Sequence, residues 1–128
     1  MSKKVFLGGT CNNSTWRDKL IPKLKISYFN PVVKDWTTQC QKEEIKQRET
    51  CDYCLYVISK EMTGVYSIAE VADDSNKRPN KTIFCYLVDG FSSAQLKSLE
   101  MVGQMVKNNG GTFLYSLDDV ANYLNSNN

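Results

Sequence analysis

The feature that most constrains the fold is a regular alternation of short apolar segments with longer helix-forming segments along the chain. Tyr53–Ile58 is a continuous apolar run, which is typical of a central strand in a parallel sheet covered on both faces. Shorter apolar segments predict four more strands, at residues 5–7, 26–29, 82–88 and 113–115. Helical segments separate and follow them, near residues 16–24, 38–50, 65–76, 93–108 and 117–125.

Five strands alternating with five helices predict βαβ units and therefore an α/β fold. We expect a single small doubly wound arrangement, flavodoxin- or Rossmann-like, in which a five-stranded parallel sheet carries helices on both faces. The chain has 128 residues, which is the size of one domain, and shows no linker or internal repeat. Residues 1–128 are therefore predicted to form a single domain.

The absence of histidine limits the chemistry that the chain can perform. It excludes Ser-His-Asp and Cys-His nucleophile systems, and any site that needs imidazole as a metal ligand or proton shuttle. Carboxylates, Tyr, Lys or Cys must therefore carry any proton chemistry. The formal net charge is only +2 and the lysines are mixed with acids, so we expect no nucleic-acid partner. No apolar run reaches the roughly 18 residues that span a bilayer, so we expect no membrane partner.

The chain has five cysteines, an odd number, and no signal peptide ahead of them, which is typical of the reducing cytoplasm. Cys51 and Cys54 have a CxxC spacing, but no second ligand pair or helix N-terminus accompanies them, so zinc and redox motifs are not indicated. The GxGxxG dinucleotide fingerprint and the P-loop are also missing. The sequence therefore predicts neither a metal nor a cofactor.

Ligands of doubly wound sheets bind beyond the carboxyl ends of the strands, so the residues that follow each strand are candidates for a site. A turn with two glycines, at residues 8–10, follows the first strand, and Asn12 comes soon after it. Glycines let a ligand approach the backbone, and the amides that open the next helix favour an anion or a sugar hydroxyl. A plain strand-to-helix turn explains these residues equally well. Arg17 could contact a phosphate here, although its place beside Trp16 on the helix favours the surface.

Two acidic residues are placed where they could reach this crevice. Glu70 follows small and apolar residues in the first two turns of the helix after the central strand. It is either a carboxylate in partly apolar surroundings or an ordinary solvated helix acid, and the pattern leaves both open. Glu44 lies on the helix before that strand, eight positions ahead of Asp52. At about 100° per residue these two acids would share a helical face, but Asp52 is expected beyond the end of the helix.

In this order and at these spacings, the residues resemble the nucleoside 2-deoxyribosyltransferase-like family. The resemblance spans residues 4 to about 90. It rests on Lys4 to Thr10, Trp16-Arg17, Asn30-Pro31, Trp36, Gln41, Glu44, Cys51-Asp52, Thr63-Gly64 and Ser67 to Glu70. It implies a small doubly wound protein that cleaves or transfers the N-glycosidic bond of (deoxy)nucleosides or their monophosphates.

The resemblance also implies roles for particular residues. Glu70 matches the nucleophile, which forms a covalent glycosyl-enzyme and gives retention, and Glu44 matches an acid that contacts the sugar or the base. The remaining expected substrate contacts are Gly8, Gly9, Thr10, Asn12, Trp36, Asp52 and Ser67. The glycine turn would hold sugar hydroxyls or a 5-phosphate, and Trp36 or Phe29 could stack on the base, although either is equally explained as part of the core. The expected partner is a small-molecule nucleoside or nucleotide. A homo-oligomer, a dimer, is also expected, because a neighbouring subunit often completes the pocket in this family.

Two positions depart from the family's transferases, which place Tyr where Phe6 stands and Asp where Gly64 stands. Hydrolysis therefore stays open beside transfer between bases. A different class of function is also open, namely a module that binds a nucleotide or nucleotide-derived signal in the same pocket without turnover. The third alternative is an interaction domain in which the acids are surface residues.

Overall fold

The computed structural model describes residues 3–11 and 13–126, and its first element is strand β1 (Lys4–Gly9). The other strands are β2 (Ser27–Phe29), β3 (Tyr53–Ile58), β4 (Thr82–Tyr86) and β5 (Thr112–Leu114). The helices are α1 (Trp16–Leu20), α2 (Thr38–Thr50), α3 (Tyr66–Lys77), α4 (Ser93–Asn108) and α5 (Leu117–Ser126), and short 3-10 turns occur at Ile21–Lys23 and Pro79–Lys81. Every predicted strand and helix is present, with small differences at the ends.

All the strands run parallel, in the order β2-β1-β3-β4-β5. The chain moves from β1 outward to β2 and then crosses back to β3 on the other side of β1. The strand order therefore reverses at β1 and β3, and the carboxyl ends of these two strands are where a ligand site is expected. The predicted α/β class, a doubly wound five-stranded parallel sheet, is confirmed.

Helices cover both faces of the sheet, and each face has its own core. On one face Leu7 of β1 belongs to a buried cluster with α1 and with Leu124 of α5. On the other face Phe6 belongs to a cluster with Val71 of α3 and Val106 of α4. Neighbouring residues of a strand point to opposite faces, so β3, whose six residues are all buried, supplies both cores. This explains the continuous apolar run of the central strand.

The end of β1 differs from the prediction. The sequence suggests that Gly8 and Gly9 form a turn, whereas both are paired with β3 inside the sheet. Gly9 has a φ of +116°, and a Cβ there would lie 2.0 Å from the carbonyl oxygen of Val57. Glycine is therefore required for the close approach of the two strands. The chain turns after Thr10, whose N–H still donates to the Val57 carbonyl at 2.9 Å.

Candidate active site

A pocket of about 310 Å³ opens at the carboxyl end of β1, beside the loop that follows β2 and the first turns of α3. Six of the predicted site residues line it: Gly8, Gly9, Trp36, Glu44, Ser67 and Glu70. The rest of its wall consists of Cys11, Arg17, Pro31, Val32, Val33 and Tyr66. These residues meet because parallel strands end at one edge of the sheet, so loops that are distant in sequence come together there.

Glu70 lies on the buried side of α3, and only 7% of the residue is exposed. Burial raises the pKa of its carboxyl to about 7; the charge of Arg48 opposes this rise, and the charges of Glu44 and Asp74 add to it. Of the two interpretations that the sequence leaves open, the solvated helix acid is therefore wrong. A buried carboxyl that titrates near neutrality and lines a pocket is typical of a functional site.

The second acid, Glu44, is half-buried on α2 and is held by an aromatic side chain. Nε1 of Trp36 donates a hydrogen bond to Oε2 of Glu44 at 2.8 Å. The indole is 56% exposed, so Trp36 belongs to the pocket rather than to the core. The two residues give the pocket a hydrogen-bond acceptor and an aromatic ring in a fixed relation to each other.

Arg17, for which the sequence favours the surface, is buried in the pocket wall with 5% of the residue exposed. Its Nε and Nη2 donate to the carbonyl of Leu7 at 3.1 and 2.9 Å, and its Nη1 donates to the carbonyl of Thr10 at 2.7 Å. The surface interpretation is wrong because the guanidinium satisfies backbone carbonyls at the end of β1, an interaction that helical periodicity does not reveal. Arg17 thus fixes the shape of the pocket wall.

Thr10, another predicted contact, directly follows β1. Thr10 is 4% exposed and is not part of the pocket wall. Its Oγ1 accepts from the N–H of Ser59 at 3.0 Å, and its carbonyl accepts from Nε1 of Trp16 at 2.9 Å. Thr10 therefore fastens the turn to the end of β3. Asn12, the other predicted contact, lies outside the described residues.

The structure does not bring Asp52, a predicted substrate contact, to the wall of this pocket. Its Oδ2 accepts from the N–H of Lys4 at 2.8 Å, and its own N–H donates to the Lys4 carbonyl at 2.8 Å. These bonds fix Asp52 at the amino end of the sheet, about 15 Å along β3 from the level of Gly8 and Gly9 at roughly 3.3 Å per residue. Because α2 ends at Thr50, the face that Glu44 occupies does not continue to Asp52.

A group of buried charged residues behind Glu70 has no counterpart in the sequence predictions. Arg48 of α2 is 7% exposed and contacts both Asp74 and Glu70 of α3. Asp74 is fully buried and accepts a hydrogen bond from the hydroxyl of Tyr56 in β3. The signal that could have revealed them is spacing, since Arg48 follows Glu44 by four residues and Asp74 follows Glu70 by four, which places each pair on one helical face.

The two cysteines of the CxxC spacing are part of the hydrophobic core and do not form a reactive centre. Cys51 and Cys54 are buried free thiols, and burial raises the pKa of Cys54 to about 12, so its thiol stays protonated at neutral pH. Within residues 3–11 and 13–126, no group of three or more Cys, Asp and Glu side chains is arranged to hold a metal ion. No helix in the same part of the chain is long and apolar enough to cross a membrane.

The fold and the pocket define a small doubly wound α/β protein whose crevice offers a buried carboxylate, a second acid and an exposed aromatic ring. Residues 2–102 match the family model described as nucleoside 2-deoxyribosyltransferase like. The chain therefore belongs to this family, and the matched segment contains every residue of the pocket. No curated protein and no solved structure matches the chain. Membership indicates an enzyme that binds a small-molecule nucleoside, with a deoxyribosyltransferase-like function in general terms.

Proposed function

We propose that the protein cleaves or transfers the N-glycosidic bond of a (deoxy)nucleoside or nucleotide, with Glu70 as the nucleophile. The observation that carries this proposal is the carboxyl of Glu70, which is buried in the pocket wall and has a pKa of about 7. A carboxylate with few solvating groups is a good nucleophile toward an electron-poor carbon, and it stabilises the adjacent oxocarbenium-like transition state. The substrate class comes from the family.

The reaction runs in two displacements. In the first, a carboxylate oxygen of Glu70 bonds to the anomeric carbon, the carbon–nitrogen bond breaks, and its electron pair leaves with the base, which takes up a proton. In the second, water or another base attacks the same carbon and gives up a proton, while the glycosyl ester breaks and the Glu70 carboxylate is restored. Two inversions at one carbon give net retention.

The other pocket residues are assigned to supporting roles. Glu44, fixed by the Trp36 indole, accepts hydrogen bonds from the sugar or base and assists the proton transfers. The exposed face of Trp36 stacks on the base. The backbone at Gly8 and Gly9 and the hydroxyl of Ser67 contact the sugar. A volume of about 310 Å³ is at the lower end of small-molecule sites, which suits a single nucleoside or nucleotide.

The test is the release of free base from a panel of deoxynucleosides, their monophosphates and nicotinamide nucleotides. We expect the wild-type protein to release base from at least one substrate, and Glu70→Gln to release none. Glu43→Gln is the matched control, because Glu43 precedes Glu44 on α2 but accepts its hydrogen bond from Gln47. A second free base added to the mixture distinguishes transfer from hydrolysis. No release from any substrate, or equal release by Glu70→Gln, contradicts the proposal.

A second candidate is a module that binds the same ligands without turnover. The observation that favours it is Phe6, which is fully buried and packs against Phe29 and Tyr56 with ring centroids 5.9 and 6.0 Å apart. The position that carries a Tyr in the family's transferases therefore offers no hydroxyl to the pocket. Stoichiometric binding by calorimetry, with the ligand recovered unchanged after long incubation, supports this candidate, and release of base excludes it.

We also propose that residues 1–128 form one domain that assembles as a dimer in the cytoplasm. The dimer is suggested by the use of a neighbouring subunit in the family, and the cytoplasm by five cysteines without a disulfide among the described residues. Analytical ultracentrifugation tests the dimer, limited proteolysis tests the single domain, and localisation of a tagged protein tests the compartment.

A further inference from the structure

Arg48 joins the helix that carries Glu44 to the helix that carries Glu70. Its Nε and Nη2 donate to the two carboxylate oxygens of Asp74 at 3.2 and 3.0 Å. Its third nitrogen, Nη1, lies 3.7 Å from Oε2 of Glu70. A guanidinium bound through two nitrogens to one carboxylate has a fixed plane and direction, so the position of Nη1 relative to Glu70 is also fixed.

The residue that fixes Arg48 is itself held by the scaffold. Asp74 is fully buried and, besides Arg48, accepts hydrogen bonds from the hydroxyl of Tyr56 and from Nη1 of Arg78, the latter at 2.7 Å. Tyr56 belongs to the central strand β3 and is also fully buried. Glu70 is thus connected to the buried central strand of the sheet through Arg48, Asp74 and Tyr56, in that order.

Among the charged groups near Glu70, Arg48 has the largest effect on the ionisation of its carboxyl. In the described part of the chain, Arg48 is the cation that forms an ion pair with Glu70. The other titratable or charged groups that line the pocket or lie beside Arg48 on α3 are Glu44, Asp73, Asp74, Tyr66, Arg17 and Cys11. Asp73 and Asp74 are themselves bonded to Arg48, and the guanidinium of Arg17 is bonded to backbone carbonyls.

We propose that Arg48 is a positioning residue of the site: Asp74, itself bonded to Tyr56, holds its guanidinium so that the positive charge stays beside the Glu70 carboxylate in the pocket wall and favours the ionised form. The role of the Glu70 carboxylate as a nucleophile rests on the proposed function. The effect of Arg48 on the pKa of Glu70 does not depend on it. Burial raises the pKa of Glu70 to about 7 while Arg48 acts in the opposite direction. Without Arg48, the carboxyl loses the opposite charge that favours ionisation, so a larger fraction of Glu70 is protonated at neutral pH and unable to attack.

The experiment is a direct titration of Glu70 in the full chain by carbon-13 NMR of labelled Glu side chains, with the signal assigned by its loss in Glu70→Gln. In Arg48→Gln we expect the pKa of Glu70 to rise by about one unit or more, because an opposite charge at this distance is lost. The acidic limb of the kcat/KM profile should move to higher pH by the same amount. Arg78→Gln is the matched control, since it removes the other guanidinium from Asp74 without touching Glu70, and we expect a smaller shift.

Arg48→Lys covers the case in which Arg48→Gln does not fold. A lysine retains the charge but cannot bind both oxygens of Asp74 and still face Glu70, so we expect a smaller rise in the same direction. The proposal is overturned if the Glu70 pKa is unchanged in the folded Arg48 variants, or if Arg78→Gln shifts it as much. If the wild-type protein releases no base from any substrate, the proposed function fails, and the NMR titration still decides the role of Arg48.

Discussion

Helix α3 buries two carboxylates one turn apart, and the surroundings of the two differ in nearly every respect. Asp74 has no exposed surface and receives hydrogen bonds from Tyr56, Arg48 and Arg78. Glu70 is almost as buried but meets Arg48 at 3.7 Å, an ion-pair distance too long for a hydrogen bond, and its other side faces the pocket. A saturated buried acid stabilises the fold, whereas an under-bonded one keeps the capacity to bind, titrate or attack.

The largest effect that this difference between Glu70 and Asp74 predicts is on catalytic activity. Glu70→Gln should lower kcat/KM by at least roughly 10⁴-fold, or about 5 kcal/mol, because the amide cannot form the glycosyl ester. The variant should nevertheless fold, since Asp74 still holds Arg48. Base release and circular dichroism measured on the same samples check both parts. A variant that retains a tenth of the activity would contradict the difference drawn between the two acids.

The next largest effect is expected for Asp74, the second buried carboxylate of α3, and it concerns the stability of the fold. Asp74→Asn should lower the free energy of unfolding by about 4 kcal/mol, because it removes the buried carboxylate that binds the Arg48 guanidinium through two nitrogens. Asp73→Asn is the control: its side chain is 43% exposed although it also contacts Arg48, so we expect a loss below about 1 kcal/mol. Urea unfolding of both variants measures the difference, and equal losses would remove the structural role assigned to Asp74.

Unlike Asp74, the carboxyl of Glu70 should lower the free energy of unfolding, and only above about pH 4.5. Its pKa is about 7 in the folded protein, raised from 4.5, so the unfolded chain ionises first as the pH increases. The folded state then holds the extra proton, and this group reduces stability progressively from about pH 4.5 to 7. Glu70→Gln removes that penalty and should stabilise the protein by up to about 3 kcal/mol at pH 8, and by little at pH 4. Melting temperatures of variant and wild type across this range are the measurement, and a difference that does not grow with pH argues against the raised pKa.

The smallest effect is expected where the pocket meets solvent. Trp36→Phe keeps an aromatic ring but removes the N–H that donates to Glu44, and should lower kcat/KM by up to about tenfold, roughly 1.4 kcal/mol. Combined with Glu44→Gln, the two substitutions should cost less than the sum of their separate effects. Full additivity would mean that Trp36 acts on the substrate alone, without positioning Glu44.

Much of the fold could be predicted because its signals are local. The buried run at Tyr53–Ile58 and the polar helix over Thr38–Thr50 each follow from the residues of the segment itself. The topology of parallel strands then brings Glu44 and Glu70 to one edge, and these two acids could be named as candidates from the sequence. Asp52 lies beyond the end of α2 at Thr50, as the sequence predicts, but its bonds to Lys4 at the other end of the sheet could not be foreseen because they join residues 48 apart.

What only the tertiary structure decided is the environment of each charge. Arg48 and Asp74 are 26 residues apart in sequence, and Tyr56 and Asp74 are 18 apart, so no local pattern couples them. The sequence by itself determined the strands, the helices, the family and the presence of a carboxylate on α3. Whether that carboxylate would be solvated or buried depended on how α2 and α3 pack on the central strand. Burial changes the free energy of a charge by several kcal/mol, and that change sets the ionisation of Glu70.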